Sequence, residues 1–170
     1  MVKLIACIFI IAGSSAVGIL KAGELKKRLN FLDSIISSLK IIGNNIENSN
    51  MDMNGLLNRL SQIEQFRDNS FYGDIGKYLS ENKTLDISVH NAVENLKAKY
   101  YITAEDAVNI ECIKEIFMAH DRGEAVINCN RCEEMLRLAR DNAQDIITNR
   151  SRLYRTFGVL LGIIVVIMLI

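Results

Sequence analysis

Apolar stretches without a single charged side chain lie near both ends of the chain, at residues 4–20 and 157–170. At about 1.5 Å per residue, a helix over 4–20 covers about 26 Å, close to the ~30 Å hydrocarbon core of a bilayer. Extending the second stretch back to residue 153 gives about 27 Å. The pattern therefore predicts one membrane-spanning helix over 1–23 and another over 153–170.

Other interpretations of these stretches stay open. Ser14 and Ala16 are small residues at a spacing that permits signal-peptide cleavage. Residues 4–7, Leu-Ile-Ala-Cys, also look like a lipoprotein box, although only three residues precede them. The C-terminal stretch could be a buried helix of a soluble protein, but a chain of 170 residues can hardly supply apolar neighbours on every face of it.

Apolar residues spaced by four and three positions predict amphipathic helices between the two ends. The first helix continues out of the N-terminal span, with its apolar stripe at Leu25, Leu29, Leu32, Ile36, Leu39 and Ile46. Further helices are predicted at about 53–67, 71–79, 86–100 and 104–119, separated by turn-forming residues. A final helix is predicted to run unbroken from about Glu124 to the C-terminus, because this stretch contains neither proline nor glycine before Gly158.

The sequence thus predicts an all-α fold, a helical bundle with one membrane-spanning helix at each terminus. The complete absence of proline agrees with long helices. Thr103 to Asp106 resembles a capping box at the start of a helix, with aspartate in place of the usual glutamate or glutamine. The domain organisation that follows is a transmembrane helix at 1–23, a cytoplasmic helical domain at 24–152 and a second transmembrane helix at 153–170.

The charges are arranged in blocks, although 20 basic and 20 acidic residues cancel overall. Positions 29–149 hold 12 basic and 19 acidic residues, and this acidic centre argues against nucleic-acid binding. Basic residues adjoin both predicted spans on the side of the central domain: Lys21, Lys26, Lys27, Arg28, Arg150, Arg152 and Arg155. Only Lys3 and the α-amino group lie on the other side. The positive-inside rule therefore predicts a cytoplasmic central domain.

Cys129 and Cys132 form a C-x-x-C motif, the one candidate for redox chemistry. No strand pattern precedes it, unlike the motif of thiol oxidoreductases. Cys112 and His120 could complete a set of four metal ligands, but their spacing fits no known zinc pattern. Two small, partly buried side chains on one helix explain the motif more simply. With no disulfide framework evident, the four cysteines suit a cytoplasmic domain. We predict no catalytic residues, no cofactor, no metal and no small-molecule substrate.

Small residues one helical turn apart occur in both predicted spans. Gly158 and Gly162 form a GxxxG motif, and Ser14 and Gly18 offer a matching strip in the first span. Such strips let helix backbones approach closely in a membrane. We therefore predict helix packing there, with either the other span or another protein as the partner.

The order of these features resembles the stage III sporulation protein AB family of endospore-forming bacteria. The resemblance is strongest at the C-terminal end, SRLYRTFGVLLGIIVVIMLI, which includes Tyr154, and extends to the pair Glu105 and Asp106 and to Asp121. It covers nearly the whole chain. The family's usual Thr-Pro-Leu helix start and a tryptophan near Val93 are absent here.

The resemblance implies a helical domain similar to the cytoplasmic domains of the type II secretion platform protein. It also implies a place in the secretion-like complex between mother cell and forespore, in the mother-cell membrane facing the forespore. A secretion-type ATPase is the implied cytoplasmic partner. Two other functions stay open from the residues themselves: a membrane-tethered thiol oxidoreductase that uses Cys129 and Cys132, and a membrane-remodelling protein whose apolar ends act directly.

Overall fold

The computed structural model describes the backbone of residues 2–48 and 52–169, and the side chains of residues 20–48 and 52–148. Within these ranges the chain forms eight helices and no strand, so the all-α prediction is confirmed. The helices are α1 (Val2–Asn48), α2 (Met53–Gln62), α3 (Glu64–Arg67), α4 (Phe71–Ser80), α5 (Leu85–Tyr100), α6 (Ala104–Glu111), α7 (Ile113–Phe117) and α8 (Arg122–Leu169).

The helices divide into two compact units. One unit contains Met1–Leu29 and Asn142–Ile170, and the other contains Asn30–Asp141. Where side chains are described, no helix has a segment long and apolar enough to cross a bilayer. The predicted span 153–170 and all but the end of the predicted span 1–23 lie outside those side chains, so both spans remain predictions.

The unit Asn30–Asp141 has an apolar core to which all eight helices contribute. Helix α4 packs between α2 and α5, and α5 also contacts α6 and α7. Helix α1 buries a wider face than the predicted stripe. In addition to Leu32, Ile36 and Leu39, it buries Phe31, Ile35 and Ile42. In helix α8, Cys132, Leu136 and Ala139 are buried at the predicted spacing, and Ala125 and Cys129 nearer its start are buried as well; Ala143, also buried, falls in the other unit.

Two of the predicted helices are wrong in their extent, because each is divided by one residue. Ile63 adopts an extended conformation (φ −69°, ψ 124°) and separates α2 from α3. The bend accompanies complete burial of Phe66. Cys112 separates α6 from α7. A regular 3.6-residue apolar period does not reveal such an interruption, because the buried positions on either side keep nearly the same spacing.

Polar side chains define where several of the helices begin. The side chain of Asp52 accepts a hydrogen bond from the backbone of Gly55 at the start of α2, and Thr84 caps α5 in the same way through Ile87. Thr103 and Asp106 form the predicted capping box, with both reciprocal hydrogen bonds present. That prediction is confirmed.

Candidate functional site

A charged groove lies among α5, α7 and α8, and we call it the α7–α8 groove. Lys114 of α7 forms an ion pair with Asp86 of α5, and Arg131 of α8 forms one with Glu115 of α7. The hydrogen bond and charge of Lys114 lower the pKa of Asp86 below its ordinary value. The lining residues are Asp86, Lys114, Glu115, Met118, Glu124, Asn128 and Arg131. Such a surface can recognise a charged partner, and no sequence motif indicated it.

The cysteines are arranged differently from the C-x-x-C interpretation. Cys132 forms a disulfide with Cys112, at a Cα–Cα distance of 5.9 Å and a separation of 20 residues. The expectation that the cysteines form no disulfide was therefore wrong. The period of the apolar residues could not predict this bond, because only the folded chain brings the end of α6 against α8.

Cys129, about one helical turn before Cys132 on α8, faces α1. It is a free, buried thiol that donates a hydrogen bond to the carbonyl oxygen of Leu39, at 3.3 Å. A Cβ atom placed on Gly43 of α1 would lie 3.4 Å from the sulfur of Cys129. Burial raises the pKa of Cys129 to about 11, and the charges of Glu133 and Glu47 add to this. A thiol in this environment is a poor nucleophile near neutral pH.

Cys129 is therefore expected to resist alkylation in the folded protein. At pH 8 the thiol is protonated and its sulfur is screened from solvent, so iodoacetamide should modify it at least tenfold more slowly than a free cysteine. Peptide mapping after timed alkylation, with and without urea, measures the rate. Rapid native labelling of Cys129 would contradict its placement against α1.

The histidines and carboxylates do not combine into a metal site among the described side chains. His90 contacts Glu111, with its Nδ1 2.7 Å from the carboxylate oxygen. His120 donates its backbone N–H to Glu124, at 2.8 Å. Cys112, considered above as an extra ligand for the C-x-x-C, instead bonds to Cys132, whereas the hydrogen bond of His120 involves its backbone and not its imidazole.

The predicted membrane-interface residues are described only in part. Lys21 pairs with Glu24, at 2.7 Å between Nζ and Oε2, and Lys26 and Lys27 are exposed while Arg28 is half-buried. The side chains of Arg150, Arg152 and Arg155 lie outside the described residues. The same holds for Tyr154 and for the predicted packing positions Ser14, Gly18, Gly158 and Gly162.

Comparison with known proteins decides the family. The sequence profile of stage III sporulation protein AB matches residues 3–170, essentially the whole chain. The chain belongs to the stage III sporulation protein AB family. No curated protein and no solved structure gives a significant match. A sporulation-related role follows from family membership, and the resemblance deduced from the sequence is confirmed.

Asp106 and Asp121, two of the residues through which the chain resembles the stage III sporulation protein AB family, have structural roles. Asp106 is buried (1% exposed), and its carboxylate accepts a hydrogen bond from the backbone of Thr103, at 3.0 Å. Asp121 accepts one from the backbone of Glu124 at 2.8 Å, immediately before α8 begins. Glu105, by contrast, is exposed. The two aspartates therefore fix where α6 and α8 begin.

Asp106 and Glu105 make a matched pair for testing this difference. We expect Asp106→Ala to lower the free energy of unfolding by about 1–2 kcal/mol, because it removes one half of the capping box and leaves the Thr103 N–H without that acceptor. Glu105→Ala should change it by less than about 0.5 kcal/mol, since the side chain is exposed. Urea unfolding of the full-length protein in detergent, followed by circular dichroism, measures both. Equal effects would contradict the structural role.

Proposed function

We propose that this member of the stage III sporulation protein AB family is a non-enzymatic, membrane-anchored platform in a secretion-like complex between mother cell and forespore. In this proposal its helical domain faces the mother-cell cytoplasm and docks a secretion-type ATPase. Family membership over residues 3–170 is the observation that carries the proposal. The sporulation role is common to the family; the membrane, the platform role and the ATPase are the proposed parts.

The continuity of the two longest helices supports anchoring at both ends. Helix α1 runs without interruption from Val2 to Asn48, and α8 from Arg122 to Leu169. Each therefore joins one apolar terminal stretch to the helical domain with no linker in between. Basic residues adjoin each stretch on the domain side, as the positive-inside rule requires for a cytoplasmic domain.

Topology mapping tests the membrane part of the proposal. Reporters are fused before Val2, after Ile170 and between Glu81 and Asn82, where both residues are exposed in the turn after α4. The segment 68–70 is less suitable, because the Asn69 side chain is buried and bonded to Ser34 and Phe71. We expect a cytoplasmic signal from the internal fusion and an external signal from both ends. A full-length protein that stays in the aqueous fraction without detergent would refute membrane anchoring.

The platform part has its own test in spore formation. Deletion of the gene should arrest development after engulfment, and the full-length protein in detergent should bind the ATPase. Normal sporulation of the deletion strain would refute the role in the complex. Failure of the ATPase to bind would refute the docking role while leaving the sporulation role intact.

The structure gives no support to the oxidoreductase alternative. The sulfur of Cys132 bonds to Cys112, and Cys129 faces α1 as a buried thiol of raised pKa. A C-x-x-C enzyme requires an accessible thiolate that can pair with its neighbour. Replacing Cys129 alone with alanine, which leaves the Cys112–Cys132 disulfide in place, should leave sporulation intact if the platform proposal holds, and should abolish it if the C-x-x-C thiols are catalytic.

A further inference from the structure

Electric charge is divided unequally between the two compact units of the chain. The unit of Met1–Leu29 and Asn142–Ile170, which we call the terminal unit, contains eight basic and two acidic residues, a net charge of +6. The unit Asn30–Asp141 contains 12 basic and 18 acidic residues, a net charge of −6. The neutral total therefore conceals one strongly basic unit, and a basic surface attracts anionic partners.

The basic residues of the terminal unit are concentrated in two short segments. Residues 21–28 hold four of them, and residues 150–155 hold three. Each segment adjoins an apolar terminal stretch and lies in the same uninterrupted helix as that stretch, α1 or α8. Clusters of about four to eight lysine and arginine residues beside a membrane helix are typical of binding to anionic lipid headgroups. The position of both segments therefore indicates a lipid surface as the anionic partner.

Few carboxylates oppose this positive charge within the terminal unit. Its acidic residues are Glu24 and Asp145. Glu24 pairs with Lys21, at 2.7 Å between Nζ and Oε2, whereas Lys26 and Lys27 are exposed to solvent. Two carboxylates leave a net charge of +5 on the seven basic residues of the two segments. This charge is available to an anionic partner.

The basic positions are distributed around each helix instead of along one face. Lys26, Lys27 and Arg28 are consecutive, so their directions cover about 200° of the circumference of α1. Positions 150 and 152 are likewise about 160° apart on α8. A protein partner covers one side of a helix, whereas lipid headgroups lie around a helix where it leaves the bilayer. The segment 21–28 is also only about 10 Å long, close to the ~8 Å over which surface charge acts at physiological salt.

We infer that the segments 21–28 and 150–155 form a binding surface for the headgroups of anionic phospholipids. Their lysine and arginine side chains pair with the lipid phosphates, while the adjoining apolar stretches lie among the acyl chains. The unit Asn30–Asp141 has the opposite net charge and is repelled by the same headgroups, so lipid binding is confined to the terminal unit. This inference rests on the proposed membrane anchoring and adds to it a preference for one class of lipid.

Spin-labelled lipids test this preference. The full-length protein is reconstituted into phosphatidylcholine bilayers that contain a trace of spin-labelled phosphatidylglycerol or spin-labelled phosphatidylcholine. Electron paramagnetic resonance then measures the fraction of each labelled lipid that is immobilised by the protein. The test variant is Lys26→Gln/Lys27→Gln, and circular dichroism verifies that it is folded.

Lys40→Gln/Lys77→Gln is the matched control. It also removes two exposed lysines, but from the unit Asn30–Asp141. Lys40 lies on α1 as Lys27 does, about 20 Å further along the helix. That distance exceeds the range over which an exposed charge acts at physiological salt, so the control separates a local effect from one of total charge.

We expect phosphatidylglycerol to associate with the wild type about threefold more strongly than phosphatidylcholine, or more, at low salt. The preference should disappear in about 0.5 M salt, which screens exposed charges. Lys26→Gln/Lys27→Gln should lose at least half of the preference, and Lys40→Gln/Lys77→Gln should keep it. Equal association of both lipids with the wild type, or equal preferences of the two variants, would overturn the lipid-binding surface alone. A wild-type protein that inserts into neither bilayer would overturn membrane anchoring and this inference with it.

Discussion

Tyr72→Ala is expected to lower the free energy of unfolding by about 4 kcal/mol, one of the two largest effects we anticipate. Tyr72 is buried (1% exposed) at the start of α4, and its ring makes edge contacts with Phe71 and Phe66, at 5.0 and 6.2 Å between ring centres. Alanine would remove this ring from the core and leave a cavity beside Phe66 and Phe71. Urea unfolding of the full-length protein in detergent gives the difference.

The hydroxyl group of Tyr72 contributes separately from its ring. Ser38 of α1 donates its proton to the carbonyl oxygen of Ile35, at 2.6 Å, so Tyr72 is the donor in the hydrogen bond between the two hydroxyls. Burial raises the pKa of Tyr72 above its ordinary value, which keeps the phenol protonated and able to donate. The bond thus ties α4 to α1 inside the core.

Tyr72→Phe is the control that separates ring from hydroxyl. It keeps the aromatic contacts and removes one buried hydrogen bond, so we expect a loss of only about 1–2 kcal/mol. Combining it with Ser38→Ala in a double-mutant cycle measures the coupling between the two hydroxyls. If Tyr72→Ala cost no more than Tyr72→Phe, the aromatic packing described here would be incorrect.

The second large effect concerns the disulfide. Reduction of the Cys112–Cys132 bond is expected to lower the free energy of unfolding by about 3 kcal/mol, because it releases a closed loop of about 20 residues in the unfolded chain. Helix α7 lies within that loop and has only five residues, so it depends strongly on tertiary contacts. The measurement compares urea unfolding of the oxidised protein with and without a reductant.

Two variants verify that the effect belongs to this bond. Cys112→Ser should unfold identically with and without reductant, whereas Cys129→Ala should keep the full difference, since Cys129 takes no part in the disulfide. Alkylation under denaturing conditions, followed by mass measurement, counts the thiols in each sample. If the free energy of unfolding of the wild-type protein did not change with reductant, the presence of this disulfide would be contradicted.

The disulfide also bears on the proposed location. Disulfides are rare in a reducing cytoplasm, and those that form there are usually transient. The cytoplasmic placement of the domain now depends on the basic residues beside the apolar ends, since the argument from unpaired cysteines no longer holds. Topology mapping decides between these considerations, because it does not depend on the redox state of the cysteines.

Local sequence determined most of the helices and several of their ends. The regular apolar spacing in α1 and α8 continues over many helical turns. No proline or turn cluster lies within either helix. Thr103 and Asp106 are three residues apart, so their capping box closes within a single turn and can be predicted without any tertiary contact. Helix formation and capping depend on residues close together in the sequence. The apolar period is a property of those same residues, so it predicts helices well.

The tertiary structure decided the features that residues close together in the sequence could not specify. The interruptions at Ile63, which is extended, and at Cys112, whose sulfur bonds to Cys132, accompany the burial of Phe66 on α3 and of Ile113 and Ile116 on α7. The pairing of Cys112 with Cys132 and the hydrogen bond between Ser38 and Tyr72 join residues 20 and 34 positions apart. The α7–α8 groove likewise requires Asp86, Lys114 and Arg131 to come from three helices. Such contacts depend on how helices pack, and a one-dimensional pattern of apolar residues specifies which face is buried but not which partner covers it.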